Sequence, residues 1–166
     1  MFEHLDTPEE IFSFKLGSAL KMEQDILKML GDLHEQTQRQ ELHDLFAQHA
    51  EETKQHIANI ERSFELLGEE PDDSPSPVTK GLIAEGKSSI KKTNDAIVDA
   101  VIMAGAIETE HYEIAVYEIL VTNAEARGAP EVAALLRANL ESEQAALDKV
   151  KAAAERIANT GYALAA

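Results

Sequence analysis

Four long segments of the chain carry apolar residues at helical spacing, and this pattern limits the possible folds more than any other feature. In the first segment the apolar stripe consists of Ile11, Leu16, Leu20, Leu27 and Leu30. A helix repeats its side-chain directions about every 3.6 residues, so each stripe predicts one helix with a buried face. No segment alternates apolar and polar residues with a period of two, so we expect no β-strands.

Cap and turn residues divide this pattern into five helices. Thr7 and Glu10 have the spacing of a capping box, with Pro8 at the first helical position. A helix end is predicted at Gly68, and the acidic, Pro-rich segment 69–77 predicts a surface loop. The predicted helices span residues 8–34, 42–67, 78–90, 95–126 and 130–161.

The lengths of the connections predict the topology. Two antiparallel hairpins of long helices are joined by one long crossover, which carries the short third helix. A single long crossover is the connectivity of ferritin-like bundles, whereas an up-and-down bundle needs a short connection there. We therefore predict an all-α, ferritin-like four-helix bundle that occupies residues 1–166 as a single domain.

Charge and composition argue against several classes of function. The formal net charge of −16 is the wrong sign for binding nucleic acid or an anionic membrane surface. The absence of cysteine excludes disulfides, thiolate zinc sites and iron–sulfur clusters. We find no apolar run of the roughly 20 residues that a membrane span needs, and no signal peptide. We therefore expect a cytoplasmic protein.

Acidic residues interrupt the apolar stripes at five mid-helix positions: Glu23, Glu52, Glu110, Glu113 and Glu143. A single core-facing glutamate is more often an ion-pair member than a ligand, and an ionised carboxylate is costly to bury alone. However, Glu23 and Glu52 lie about 14 and 15 residues from the first turn, and Glu113 and Glu143 lie about 15 residues from the second. Antiparallel helices place such residues at one height, so the set predicts bound cations.

Histidines beside these acids complete the predicted metal site. His49, Glu52 and His56 are spaced i, i+3, i+7 and share one face of the second helix. Carboxylates with imidazole favour iron or manganese, so we predict two Fe or Mn ions, with zinc or calcium left open. The predicted ligands are Glu23, Glu52, His56, Glu110, Glu113 and Glu143.

Separate roles are predicted within this set. Glu113 and Glu52 are the predicted bridging carboxylates, and the others are terminal ligands. His49 is left outside the set because a histidine near an apolar face is usually structural. Tyr117 is expected to be a core or interface residue, and its place one turn beyond Glu113 also puts it within reach of a hydrogen bond to a ligand carboxylate.

Five segments form a recognisable series in chain order: HAEET (49–53), ERSFELLG (61–68), GLIAE (81–85), EHYEIAVY (110–117) and LESE (140–143). The series resembles the YciE/YciF family of bacterial ferritin-like proteins, and the resemblance extends over residues 6–155. It implies a rubrerythrin-like bundle with an additional short helix, a homodimer and a role in stress responses. It also supports the five glutamates as metal-ligand positions.

The sequence leaves two main hypotheses about function. The first is a dinuclear Fe or Mn protein that reacts with dioxygen or peroxide. The second is a non-enzymatic structural or partner-binding stress protein with one metal or a vestigial site. The second is motivated by Gln55, which replaces the histidine of a Glu-x-x-His motif, and by Leu147, where family members often carry an acid. Bulk iron storage is a third option, and it would need a closed cage.

Overall fold

The computed structural model describes residues 4–71 and 74–160, and every regular element within them is a helix. The predicted all-α class is therefore confirmed. A 3-10 turn at Asp95–Ile97 leads into the fourth helix. The helices are α1 (Pro8–Gln36), α2 (Gln40–Leu67), α3 (Pro77–Lys91), α4 (Val98–Ala126) and α5 (Pro130–Thr160).

Local signals place the helix ends close to where the sequence predicts them. The Thr7 hydroxyl accepts from the Glu10 amide at 3.2 Å, and the Glu10 carboxylate accepts from the Thr7 amide at 3.0 Å. This capping box satisfies two amides that the first turn of a helix cannot pair. Gly68 ends α2 in the left-handed region, at φ 73°. The first turn lies where the sequence predicts it, but it is shorter, since α1 continues to Gln36 and α2 begins at Gln40, through good helix-forming residues.

The long helices form a ring in which α1 contacts α2, α2 contacts α5, α5 contacts α4 and α4 contacts α1. Asp99, near the start of α4, accepts from the Gln38 amide at 2.9 Å and lies 3.4 Å from Nε of Arg39. The start of α4 is thereby fixed beside the turn between α1 and α2. The crossover must therefore run the length of the bundle, and α3 packs against α4 and α1 on the way.

Large apolar side chains fill the interior of this ring. The largest fully buried ones include Phe12, Phe46, Phe64, Leu16, Met22, Ile26 and Leu136. One predicted core position is wrong, because Ile11 is 44% exposed and its neighbour Phe12 is buried instead. Phe12 also lies under the guanidinium of Arg127, 4.5 Å from the ring centre, which gives the buried aromatic a cation–π contact.

Among the described helices, none combines the length and the apolar character that crossing a membrane requires.

Candidate metal centre

Six buried side chains from the four long helices converge in the middle of the bundle: Glu23, His49, His56, Glu110, Glu113 and Glu143. They form two groups. The first group is His49, Glu110, Glu113 and Glu143, and the second group is Glu23, His56 and Glu143. Within each group the candidate ligand atoms lie within 4.8 Å of one another. Glu143 belongs to both groups, so its two carboxylate oxygens lie between them.

Helical spacing explains how one chain supplies both groups. His49 and His56 are seven residues apart on α2, so they lie on the same face two turns apart. Nε2 of His49 lies 3.1 Å from Oε1 of Glu110 and 3.7 Å from Oε2 of Glu143. Nδ1 of His56 lies 2.9 Å from Oε1 of Glu143 and 3.6 Å from Oε1 of Glu23. Each histidine therefore faces one side of Glu143.

Many polar atoms of this cluster make no well-aligned hydrogen bond in the described part of the chain, although the His–Glu ion pairs above bring some of them close together. They include both oxygens of Glu113, both oxygens of Glu143, both ring nitrogens of His56 and Nε2 of His49. One oxygen each of Glu23 and Glu110 is in the same condition. A buried polar atom without a partner costs about 1–3 kcal/mol, so native proteins seldom collect several in one place. Bound cations would satisfy these atoms together.

The electrostatics of the cluster also favour a positive occupant. Burial raises the pKa of Glu113 well above its usual range, and the neighbouring carboxylates of Glu143, Glu23 and Glu110 raise it further. Burial likewise raises the pKa of Glu143, although His56 opposes that shift. These shifts favour the protonated forms of both acids, and positive charge brought among them would favour the carboxylates.

The pKa values of both imidazoles are raised as well, but by their contacts with carboxylates and against the effect of burial. Burial lowers the pKa of His56, but its contacts with Glu143 and Glu23 outweigh burial and raise the pKa to about 9. Burial also lowers the pKa of His49, and Glu110 and Glu52 outweigh it in the same way. The two histidines therefore carry protons that partly neutralise the acids when no metal is bound.

The donor set fits iron or manganese. It contains four carboxylates and two imidazoles, and the sequence contains no thiolate. Carboxylate oxygens with imidazole nitrogens are the ligands that non-haem iron and manganese use. The arrangement also matches bundle sites that take glutamates and histidines from facing helices.

Glu52 does not lie within either group, although it was predicted as a bridging carboxylate. Its side chain is 26% exposed. It accepts from Nζ of Lys149 at 3.1 Å and from Gln48 at 2.8 Å, and its other oxygen lies 3.3 Å from Nδ1 of His49. The contacts with His49 and Lys149 lower the pKa of Glu52 to about 2.

The rotation of α2 explains this placement. At 100° per residue, Glu52 lies about 80° around the helix from the centre of the buried face. Thr53 lies near that centre and is fully buried, together with His49 and His56. His49, which was left outside the predicted set, is therefore in a candidate group, whereas Glu52 contacts that group only through His49.

A layer of hydrogen bonds surrounds the second group. The Tyr117 hydroxyl donates to Oε1 of Glu23, so the hydrogen bond predicted for Tyr117 is present. Asn139 donates to the Tyr117 oxygen at 3.0 Å and to the His56 carbonyl at 3.2 Å. Asn139 was not among the residues predicted from the sequence. The available signal was an amide on the inner face of α5, one turn before Glu143.

Two basic residues of α2, Lys54 and Arg62, lie on the surface. Lys54 pairs with Glu51 at 2.5 Å, and Arg62 pairs with Glu65 at 2.6 Å, so neither neutralises the cluster. His111, although adjacent to Glu110, is exposed. Glu110 points into the bundle and His111 does not, because consecutive residues of a helix point about 100° apart.

Comparison with known proteins agrees with this architecture. The model of a domain of unknown function, DUF892, matches residues 7–163. The chain belongs to the DUF892 family. Protein YciF of Escherichia coli K12 is 33% identical to this chain over 144 residues, which cover 86% of this chain and 87% of that protein. The predicted resemblance to YciF-type proteins is therefore confirmed.

Solved structures extend the DUF892 comparison to the fold. The crystal structure of the E. coli stress protein YciF matches this chain with a TM-score of 0.89 and 29% sequence identity. The match covers 95% of this chain and 100% of the YciF chain. YcfI of Rhodopseudomonas palustris, whose description proposes a structural role, has a TM-score of 0.87 and 32% identity. That match covers 91% of this chain and 97% of the other.

Proposed function

We propose that this chain is a carboxylate-bridged di-metal protein, with two Fe or Mn ions, that consumes dioxygen or peroxide during stress. The observation that carries the proposal is Glu143, which belongs to both candidate groups: one of its oxygens lies near His56 and the other near His49, and neither makes a well-aligned hydrogen bond among the described residues. A carboxylate placed in this way suits a ligand shared by two cations. The description of YciF as a stress protein supports the physiological part of the proposal.

The chain's own residues would divide the work as follows. Glu143 would bridge, in place of the predicted Glu52. Glu23 and His56 would hold one cation, and His49, Glu110 and Glu113 would hold the other. The bridging role predicted for Glu113 stays a prediction, which its two partner-free oxygens support. The apolar side chains of the four helices exclude bulk water, which strengthens each electrostatic contact inside.

The bound metals would supply one-electron chemistry toward a small oxidant, which glutamate and histidine side chains do not perform themselves. The protein would bind and orient the ions, and its two histidines would release their protons as they become ligands. Zinc or calcium would occupy a similar oxygen-rich site without that redox chemistry. The metal must therefore be identified in the protein as purified, by elemental analysis.

The test is metal loading of a matched pair of variants on α5. Metal-free wild-type protein should bind about two Fe(II) or Mn(II) per chain and, with Fe(II), consume dioxygen or peroxide. Glu143→Ala should lose both ions because it removes the shared ligand. Glu141→Ala, an exposed glutamate two residues earlier, should behave like wild type. Wild-type stoichiometry in Glu143→Ala would contradict the proposal.

One observation favours a second candidate, a non-enzymatic structural protein. The close approach of His56 to Glu143 and of His49 to Glu110 lets protonated imidazoles neutralise part of the cluster without metal. The proposed structural role of YcfI is compatible with this reading. A thermal melt with and without chelator separates the candidates, since ions bound only to the folded state raise Tm. An unchanged Tm would favour the structural candidate.

The homodimer and the cytoplasmic location stay predictions. Light scattering tests the first, and a dimer would exclude storage of bulk iron in a closed cage. Cell fractionation with an antibody to the chain tests the second.

A further inference from the structure

A directional chain of hydrogen bonds leads from the surface of α2 to the second metal group. Nε2 of Gln55 donates to Oδ1 of Asn59 at 2.9 Å, and Nδ2 of Asn59 donates to Oδ1 of Asn139 at 2.7 Å. Nδ2 of Asn139 then donates to the Tyr117 oxygen at 3.0 Å, and Tyr117 donates to Glu23. Every member after Asn59 is fully buried. The chain therefore connects a solvated helix face to one candidate ligand.

Asn139 fixes the direction of this chain. Its amide nitrogen donates to two acceptors, the Tyr117 oxygen and the His56 backbone carbonyl, while its oxygen accepts from Asn59. A carbonyl can only accept, so a reversed amide would place two acceptors against each other at His56. The orientation of the Asn139 amide is thus set by an atom that cannot change its role.

This orientation of the Asn139 amide determines which hydrogen bonds Tyr117 and Glu23 make. Because the Tyr117 oxygen accepts from Asn139, its own proton is directed to Oε1 of Glu23. Oε2 of Glu23 has no hydrogen-bond partner among the residues that the structure describes. One oxygen of the carboxylate is therefore held by protein, and the other is left for a cation. At the same time Asn139 ties the backbone of His56 to α5.

The first group has no equivalent support from this network. Glu113 uses neither oxygen in a hydrogen bond within the described chain, and His49 contacts Glu52 at the half-exposed edge of the site. The two groups share Glu143 but differ in how their other members are held. The hydrogen-bond network therefore makes the two cation positions different, although the same types of ligand surround both.

We propose that Asn139 and Tyr117 are positioning residues for one of the two cations, the one held by Glu23, His56 and Glu143. This inference rests on the proposed function, because it concerns the same metal centre. Partners that orient metal ligands typically contribute about 10- to 100-fold to metal affinity. Loss of either residue should weaken one binding step by about that factor and leave the other step unchanged.

The test is titration of metal-free protein with Mn(II), followed by calorimetry, and with Co(II), followed by visible absorption. Wild type should bind two equivalents. Tyr117→Phe deletes one hydroxyl, and it should keep one equivalent at wild-type affinity while the other is about 10- to 100-fold weaker. The Co(II) spectrum of the weakened equivalent should change, and that of the retained one should not. Tyr112→Phe, a half-buried tyrosine on the same helix, is the matched control and should match wild type.

Asn139→Leu should reproduce the Tyr117→Phe result, and the double variant should cost little more than either single one because both belong to one network. If Asn139→Leu does not fold, Tyr117→Phe and its control decide the question alone. Equal weakening of both equivalents, or no weakening in Tyr117→Phe, would overturn the inference while leaving the metal site intact. A wild type that binds neither Mn(II) nor Co(II) would instead overturn the proposed function.

Discussion

Glu113→Leu should stabilise the metal-free protein, and added metal should reduce or reverse that gain. Glu113 is 1% exposed, and neither of its oxygens has a hydrogen-bond partner in the described chain. The groups that shift its pKa, besides burial, are all carboxylates, so removing it separates no cation from its partner. A leucine of similar size would replace an unpaired buried acid with an apolar contact. This is the situation in which replacement of a buried charge stabilises a protein.

The magnitude follows from the cost of an unpaired buried polar group. That cost is about 1–3 kcal/mol, so metal-free Glu113→Leu should unfold with a free energy higher than wild type by that amount. For a chain of 166 residues, each kcal/mol moves Tm by about 2–4 °C, which gives an increase of about 2–12 °C. With metal at 100 times its Kd, wild type should gain about 2.7 kcal/mol that a variant lacking this ligand loses in part or in full.

Differential scanning calorimetry in chelator and in excess Mn(II) measures both effects. Glu118→Leu is the control, because Glu118 is exposed on the same helix and its replacement should change stability by less than about 0.5 kcal/mol. A metal-free Glu113→Leu protein that melts below wild type would refute the reasoning. It would mean that Glu113 has a stabilising partner in the folded protein and is not held there for a cation.

Two further predictions concern proton release and backbone conformation. Since the pKa values of His49 and His56 are raised, both imidazoles are protonated at neutral pH without metal, and metal binding should release both protons. Calorimetry in buffers of different ionisation enthalpy should show this release, and it should fall by about one proton per chain as pH rises through about 9, where His56 loses its proton; pH-independent release across that range would contradict the assignment. Gly105→Ala should raise stability by about 1 kcal/mol, because a Cβ there meets no atom within 4 Å and alanine favours helix. Gly128→Ala should lower stability by about 1–2 kcal/mol, since Gly128 has φ 71°; urea unfolding compares the two, and equal effects would exclude the explanation.

The helices and their ends could be predicted from sequence because their causes are local. The capping box of Thr7 and Glu10 and the left-handed Gly68 each involve residues within one helical turn. The helices on both sides of the turn between α1 and α2 extend further into it than predicted, because helix propensity changes little from residue to residue there. The length of the crossover, read directly from the chain, predicted the topology.

The candidate site could be predicted in part. Counting residues from each turn places the acids of four helices at one height, and Glu23, Glu113 and Glu143 are indeed buried there. Counting did not decide the rotation of α2. His49 and Glu52 differ by only about 60° around the helix, so a modest rotation exchanges one for the other at the site. The packing of α2 against α1 and α5 fixes that rotation.

Residue spacing along the chain was therefore enough to predict the set of helices, their connectivity and the level at which the acids meet. A helix converts such spacing directly into height and direction. Packing between the helices, by contrast, determines that His49 faces inward, that Glu143 is shared, and that Asn139 reaches Tyr117 and His56. Asn139 is 22 residues from Tyr117 and 83 from His56. Contacts between residues so far apart depend on how whole helices pack. The residues near Asn139 in the sequence therefore do not predict them.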